Sequence, residues 1–514
     1  MTRKSCTFAA ALITIVTSLV TFAWAQGPAG GVEHFWGPRY TAPSVPAVPA
    51  VPETAARRPS PPPDPGTVDA MHHWNSIAID SSGLDHTPVE AGDPRIFGEQ
   101  LGPGRSSRAM AIVHIAIFDA VNAIAKRYRS YTEIPDASPG ASMDAAIAQA
   151  AHDTLVAMFP SQKAHCDALL ADELAKISEG RGKEEGIRVG QRAARAILAR
   201  TADDGSQHAE PRLGTDFITS DRPGKWRQDP ISQLPIALGA HWGDVAPLVL
   251  RDVERFRVPP PPAMTSRAYT EAFKEVKRLG GDGVTTRTAR TEDQTRAGIF
   301  WAYDGTPSLC APPRLYNQIA MAIADQMGTD TVDLARLLAL VNVAMSDAGV
   351  VSWESKYYYQ FWRPVTGIRE ADRGTGSTGH GDGNPLTIGD PEFSPLGAPA
   401  SNLQGPNFTP PFPAYPSGHA VFGGALFQTL RNFYRTDDIA FTFVSDELNG
   451  VTLGNDGIAR PLLPRTFSTL SEAEEENGQS RIYLGIHWAF DKTEGIAQGR
   501  RVANYVFSNA FRRR

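Results

Sequence analysis

Three late stretches of the chain carry side chains able to hold and turn over an anion. Residues 411–420 read Pro-Phe-Pro-Ala-Tyr-Pro-Ser-Gly-His-Ala and lead into a small-residue segment that predicts a buried helix over 420–433. Pro416 and Ser417 are favourable at a helix start, so Ser417, Gly418 and His419 are expected in the first turn, where backbone N–H groups lack intrahelical partners. Gly418 leaves room for a ligand to approach that backbone, with His419 at the rim of the oxyanion site so formed. Upstream, Lys356 and Arg363 bracket an aromatic run and lie seven residues apart. That is two helical turns, which puts both cations on one face of a helix that Pro364 is expected to end. Downstream, Arg481 precedes His487, and Asp491 follows His487 by four residues. In a helix those two stack, so the carboxylate would orient the ring, a role a backbone carbonyl could also fill.

Three cations, a helix start and two histidines suit a tetrahedral oxyanion that one histidine attacks or coordinates while the other protonates it. The pattern Lys-x6-Arg-Pro, Pro-Ser-Gly-His, Ser-Arg-x5-His-x3-Asp resembles the signature of the type 2 phosphatidic acid phosphatase and vanadium haloperoxidase superfamily, with all three blocks present and in order. The resemblance implies one of two chemistries. In the phosphatase branch, a metal-free acid phosphatase, the equivalent of His487 attacks phosphorus and that of His419 protonates the leaving oxygen. In the haloperoxidase branch His487 binds vanadate inside a cage of Lys356, Arg363, Ser417, Gly418 and Arg481. There His419 assists proton transfer to and from hydrogen peroxide, and halide becomes hypohalous acid.

Neighbouring residues favour the second branch. Trp353 and Phe412 match the aromatic pair on the halide side of fungal-type vanadium chloroperoxidases, where an apolar wall would favour a weakly hydrated halide. As plain residues, both also fit an ordinary buried core. The stretch Phe300-Trp301-Ala302-Tyr303-Asp304-Gly305 also resembles the haloperoxidase branch. An aspartate there pairs with the arginine of the third block, so Asp304 is the expected partner of Arg481, the alternative being a turn cap. The implied partners are hydrogen peroxide, halide and an organic acceptor that the sequence does not identify.

The elements that must position these residues read as helices. The resemblance to the haloperoxidase branch implies an opening helix over 71–79, and apolar patterning predicts others over 107–126, 141–158, 162–177, 184–202, 266–279, 292–301, 314–327, 331–353 and 488–512, while strand signals are scarce. The fold class is therefore all-α, and the resemblance implies two four-helix bundles with long connecting loops and the anion site in the C-terminal one. His114, Asp119 and Asn122 on the second of these helices read as hydrogen-bonded core residues, and adjacent His72 and His73 point apart rather than toward one metal. The Gly- and Pro-rich connection between Pro364 and Pro416 is long enough that it must line or cover the site.

The chain has 514 residues and a formal net charge of −6, which argues against nucleic acid or an anionic membrane surface as partner. Arg3 and Lys4 precede an apolar run to Phe22, and Ala23-Trp24-Ala25 offers a cleavage site, so 1–25 reads as a signal peptide and the protein as exported. Residues 26–66 read as a Pro- and Ala-rich spacer, 67–305 as an N-terminal helical bundle and 306–514 as the C-terminal bundle with the site. No later apolar run is expected to reach the roughly 20 residues of a membrane span. Cys166 and Cys310 could form one disulfide, but their positions do not decide it.

Overall fold

Thirteen α-helices and one two-stranded ribbon form the regular structure of residues 70–514, which are the residues described by the computed structural model. The signal peptide expected over 1–25 and the spacer expected over 26–66 lie outside the described residues. The N-terminal group comprises α1 (Ala70–Asp85), α2 (Gly102–Ala125), α3 (Met143–Met158), α4 (Lys163–Ala175) and α5 (Arg181–Arg200). Next come α6 (Arg267–Leu279), α7 (Glu292–Phe300) and α8 (Pro313–Gln326), followed by α9 (Thr331–Tyr359) and the short α10 (Pro364–Arg369). The site-bearing end is α11 (Gly418–Tyr434), the ribbon β1 (Phe441–Phe443) and β2 (Arg465–Phe467), α12 (Leu470–Tyr483) and α13 (Ala489–Asn509). The ribbon is antiparallel, with Phe441 opposite Phe467.

Two helices hold the molecule together. α2 is apolar from Ala109 to Ile124 and buried around its whole circumference, and α9 is buried from Leu334 to Lys356 with few breaks. Such helices must lie inside a bundle, because no face can be left to water. They pack against each other, α2 backed by α3 and α5, α9 by α11 and α13. Both are long and apolar enough to cross a bilayer, contrary to the reading that no such run follows the N-terminus. Their most apolar windows are 94% buried inside the protein. The small and polar residues interspersed along them are packed against neighbouring helices rather than presented to lipid.

α11 and α13 approach closely because glycines line their contact. A β-carbon on Gly499 would lie 2.0 Å from the carbonyl oxygen of Val421, and one on Gly424 would lie 2.6 Å from that of Ile496. The helix backbones can therefore nearly touch, which brings the start of α11 to the start of α13 and lets Ser417 N–H donate to Asp491 O at 3.0 Å.

The structure differs from expectation at several boundaries. The helix carrying Lys356 does not run on to Arg363: it stops at Tyr359, with Gln360 left-handed at φ 51°. Pro364 then opens α10 rather than ending a helix, since its missing N–H and fixed φ suit a first helical position. Ser417 is the N-cap of α11, one residue outside the first turn. His487 lies before α13, so it does not stack on Asp491 within a helix. α10 and α12 were not anticipated; α12 is charged and weakly patterned, and its one clear signal is the Thr469…Glu472 cap spacing, with Thr469 accepting from Glu472 N–H. α6 and α7 lie before residue 306 yet pack on α13 and α12, so chain order and packing divide the molecule at different places. Cys166 and Cys310 are both free and buried.

Candidate active site

Lys356 sits in the last turn of α9, Arg363 caps α10, Ser417 caps α11, His419 lies in its first turn, Arg481 is near the end of α12, and His487 precedes α13. Lys356 and Ser417 do not line the cleft, and Arg363 lines a neighbouring pocket and reaches it by its contact with His487, whereas His419, Arg481 and His487 converge on one cleft. Arg481, His419 and His487 form its floor with Asp304, while Trp353 and Phe412 form one wall. Pro103 and Leu238, which carry no sequence signal for such a role, reach the cleft from the N-terminal half.

Each histidine has a defined tautomer. His487 Nδ1 lies 2.8 Å from Asp491 Oδ2, a carboxylate that also accepts from Trp488 N–H at 3.0 Å. A carboxylate accepts, so Nδ1 carries the proton. Nε2 faces Arg363 Nη1 at 2.9 Å, and a guanidinium only donates, so Nε2 holds the lone pair. The pairing expected between His487 and Asp491 thus arises through the N-cap geometry of α13 rather than one helical turn. His419 Nε2 lies 2.5 Å from Ala302 O and must be the protonated nitrogen, leaving Nδ1 as the acceptor. Burial holds both rings well below the usual histidine range, reinforced at His487 by the charge of Arg363 and at His419 by that of Arg481. Burial also pushes the Asp491 carboxyl up to about 7.

The cations are placed differently from one another. Arg481 donates from Nη2 to both carboxylate oxygens of Asp304, at 2.7 and 2.8 Å, while its Nε and Nη1 are buried without a partner among the described residues. Arg363 donates to Phe412 O and Ile486 O, each at 2.9 Å. Lys356 lies within hydrogen-bond distance of three carbonyl oxygens, those of Pro413, Ala414 and Pro416. Lys356, expected in the anion cage, thus spends its N–H groups on the loop that carries Ser417. Its ammonium ties down the 413–416 loop and contributes charge from behind. Phe412 lies between two cations, its ring centroid 5.0 Å from Lys356 Nζ and 4.9 Å from Arg363 Cζ, and packs on Trp353 at 5.0 Å. It is more than a plain core aromatic, because its π face supports both charges.

The unsatisfied groups specify what fits. Lys356 is fully buried and Arg363 nearly so, and neither has a carboxylate partner among the described residues. Burial pulls Lys356 well below the ordinary lysine range, and the neighbouring Arg363 charge adds to this. Burying cations with no counter-charge is costly, and an anionic ligand removes the cost. Around it stand the free donors of Arg481, the unpartnered buried hydroxyl of Ser417, the first-turn N–H groups of α11 and the lone pair of His487 Nε2. A β-carbon on Gly418 would meet Trp353 at 3.4 Å, so glycine keeps this corner open. The set fits a tetrahedral oxyanion with a central atom that accepts a nitrogen ligand.

Residues 336–513 match the family model of the VCPO second helical-bundle domain. The vanadium chloroperoxidase of Curvularia inaequalis is 31% identical over 506 residues, spanning 84% of this chain and 80% of that protein. Among solved structures, a bacterial vanadium-dependent iodoperoxidase superposes with TM-score 0.66 at 24% identity, covering 86% of this chain and 97% of the other. A holo-type bacterial vanadium-dependent chloroperoxidase gives TM-score 0.58 at 17% identity, covering 82% and 95%. These two share the fold. The similarity to the fungal protein extends well beyond the C-terminal bundle and includes the segment that supplies Asp304, and on that footing the chain belongs to the vanadium haloperoxidase family.

Proposed function

We propose that the protein is a vanadate-dependent haloperoxidase that converts hydrogen peroxide, halide and a proton to hypohalous acid and water. The observation that carries this reading is a pair of buried cations, Lys356 and Arg363, with no carboxylate in ion-pair contact among the described residues, beside the Nε2 lone pair of His487. When bound, vanadate supplies a Lewis-acidic centre that activates peroxide without changing its own oxidation state.

The residues divide the work. His487 would hold the cofactor through Nε2, whose lone pair now accepts from Arg363, and Asp491 keeps the other ring nitrogen protonated. Arg363, Arg481, Ser417 and the Gly418 backbone neutralise and orient the oxyanion, with Lys356 supplying charge through the loop it ties. Asp304 holds Arg481 by one nitrogen and leaves two donors for the ligand. His419 Nδ1, unprotonated because the ring is buried near Arg481, takes a proton from incoming peroxide and returns it to the leaving oxygen. Trp353 and Phe412 keep one side of the cleft apolar, which favours a weakly hydrated halide over water.

The test is halide-dependent bleaching of a halogen acceptor with peroxide, with and without vanadate, beside vanadium analysis of the purified protein. Release of phosphate from a chromogenic ester by protein never given vanadate, with no halide oxidation, would reverse the reading to a phosphatase. Phe412→His should change the ratio of chloride to bromide turnover while leaving vanadate binding in place. An unchanged ratio would remove the halide role of that wall. We also propose export of the enzyme, supported by the charged, apolar and small-residue pattern of residues 1–25 and tested by cell fractionation.

A further inference from the structure

His419 is held from two directions. Its ring donates from Nε2 to Ala302 O, in the short turn after α7 that also carries Asp304. Its backbone carbonyl accepts two side-chain bonds, from Tyr316 Oη at 3.0 Å and from Asn477 Nδ2 at 2.9 Å. The single Tyr316 hydroxyl proton is shared, since Oη also lies 3.0 Å from the acceptor Asn477 Oδ1, and both residues are fully buried. Tyr316 comes from α8. Asn477 lies on α12 one turn before Arg481, so a single helix face presents one residue to His419 and the next to the anion.

The approach of Asn477 depends on Gly423, one turn beyond His419 on α11. A β-carbon there would lie 2.2 Å from Asn477 Nδ2. Ordinary helix packing does not require a polar side chain in that gap. What the network adds is a fixed height and rotation for the first turn of α11, and hence for the ring of His419.

We propose that Tyr316 and Asn477 are positioning residues for His419. By gripping its carbonyl they keep Nε2 against Ala302 O and leave Nδ1 to the cleft as the proton acceptor. The inference rests on the proton-transfer role of His419 proposed above, and it has one arm that does not depend on turnover. Tyr316→Phe removes the hydroxyl and keeps the shape, and Asn477→Ala removes the amide.

The first arm is nitrogen NMR of histidine-labelled full-length protein without vanadate, with the His419 signal identified by its loss in His419→Ala. Wild type should show a neutral ring protonated at Nε2 to well below the usual histidine range. Both variants should lower its titration midpoint further and admit the Nδ1-protonated tautomer as the bond to Ala302 loosens, because that bond favours the charged ring and holds the proton on Nε2. The second arm is steady-state kinetics of the holoenzyme. Tyr316→Phe should lower kcat about 10-fold with little change in the KM for halide. The same substitution in a His419→Ala background should have no further effect, because it acts through His419. An unchanged His419 titration in both variants overturns the proposal, as does an equal loss of kcat with and without His419. Wild-type turnover by His419→Ala would refute the catalytic role itself, while the NMR arm would still decide the positioning claim.

Discussion

On α2, the Asp119 carboxylate accepts from Ser130 and Thr132 hydroxyls and from Tyr131 and Thr132 N–H groups, all at 2.5–2.9 Å. Asp85, at the end of α1, accepts in the same way from Glu99 and Gln100 N–H. At the cleft, by contrast, Arg481 keeps two buried donor nitrogens and Ser417 its hydroxyl unmatched among the described residues, and Lys356 and Arg363 have no carboxylate in ion-pair contact there. Both regions bury polar groups, but the first satisfies them within the chain and the second leaves them for a guest. His114 sharpens the contrast. Both its ring nitrogens are buried without a partner, and burial pulls its pKa down to about 3, so the ring stays neutral. It lines no part of the cleft described here. An unmatched group becomes a site only where a cleft and neighbouring charges come with it.

The largest effect should come from His487→Ala. Loss of the nitrogen ligand should abolish halide oxidation, with at least a hundredfold loss of vanadate affinity, while the melting temperature of the cofactor-free protein stays close to wild type. A collapse of stability in that variant would place His487 with the structural polar groups and break the contrast.

Asp119→Ala should do the reverse. Removing an acceptor of several buried donors should cost about 3 kcal/mol of stability by denaturant unfolding, with anion binding by the folded fraction unchanged.

Anion affinity should also respond to pH in a direction set by the buried lysine. Burial and the charge of Arg363 depress Lys356, so a rise in pH removes its proton earlier than in an ordinary lysine. Binding needs the charged form, so phosphate or vanadate affinity of the cofactor-free protein should fall as pH rises, and calorimetry should show proton uptake on binding. Lys356→Met should weaken binding and flatten that alkaline fall, whereas Asp119→Ala should leave it as in wild type.

The smallest change is expected for His114→Leu. Replacing an unpartnered buried ring by an apolar side chain of similar volume should leave activity intact and alter stability by no more than about 1 kcal/mol, in the stabilising direction if the leucine packs well. A loss of activity would mean that the N-terminal bundle contributes chemistry the cleft geometry does not contain.

The helices of the N-terminal group were legible because a bundle helix must repeat its apolar residues every third or fourth position, and Ala109–Ile124 does so without interruption. α12 was not legible. Its residues 472–476 are mostly glutamate, and it is held by packing on α7, α11 and α13 rather than by a strong apolar stripe. The residues of the anion site were readable from type and spacing alone, since few other arrangements of Lys, Arg and His make chemical sense in one chain. Asn477, Tyr316 and Leu238 were not, because an amide, a phenol or an aliphatic residue in a core position carries no signal of its own.

The sequence by itself determined that this is a helical protein with cations and two histidines in three late blocks, a set whose chemistry suits an oxyanion. Only the tertiary structure decided which nitrogen of each histidine carries the proton, that Lys356 is turned onto three carbonyls, and that Arg481 keeps two donors open beside Asp304. The reason is physical. Residue types are written along the chain, but a buried donor finds its acceptor across elements that approach only when the helices pack, and the glycine contact between α11 and α13 sets how near they come.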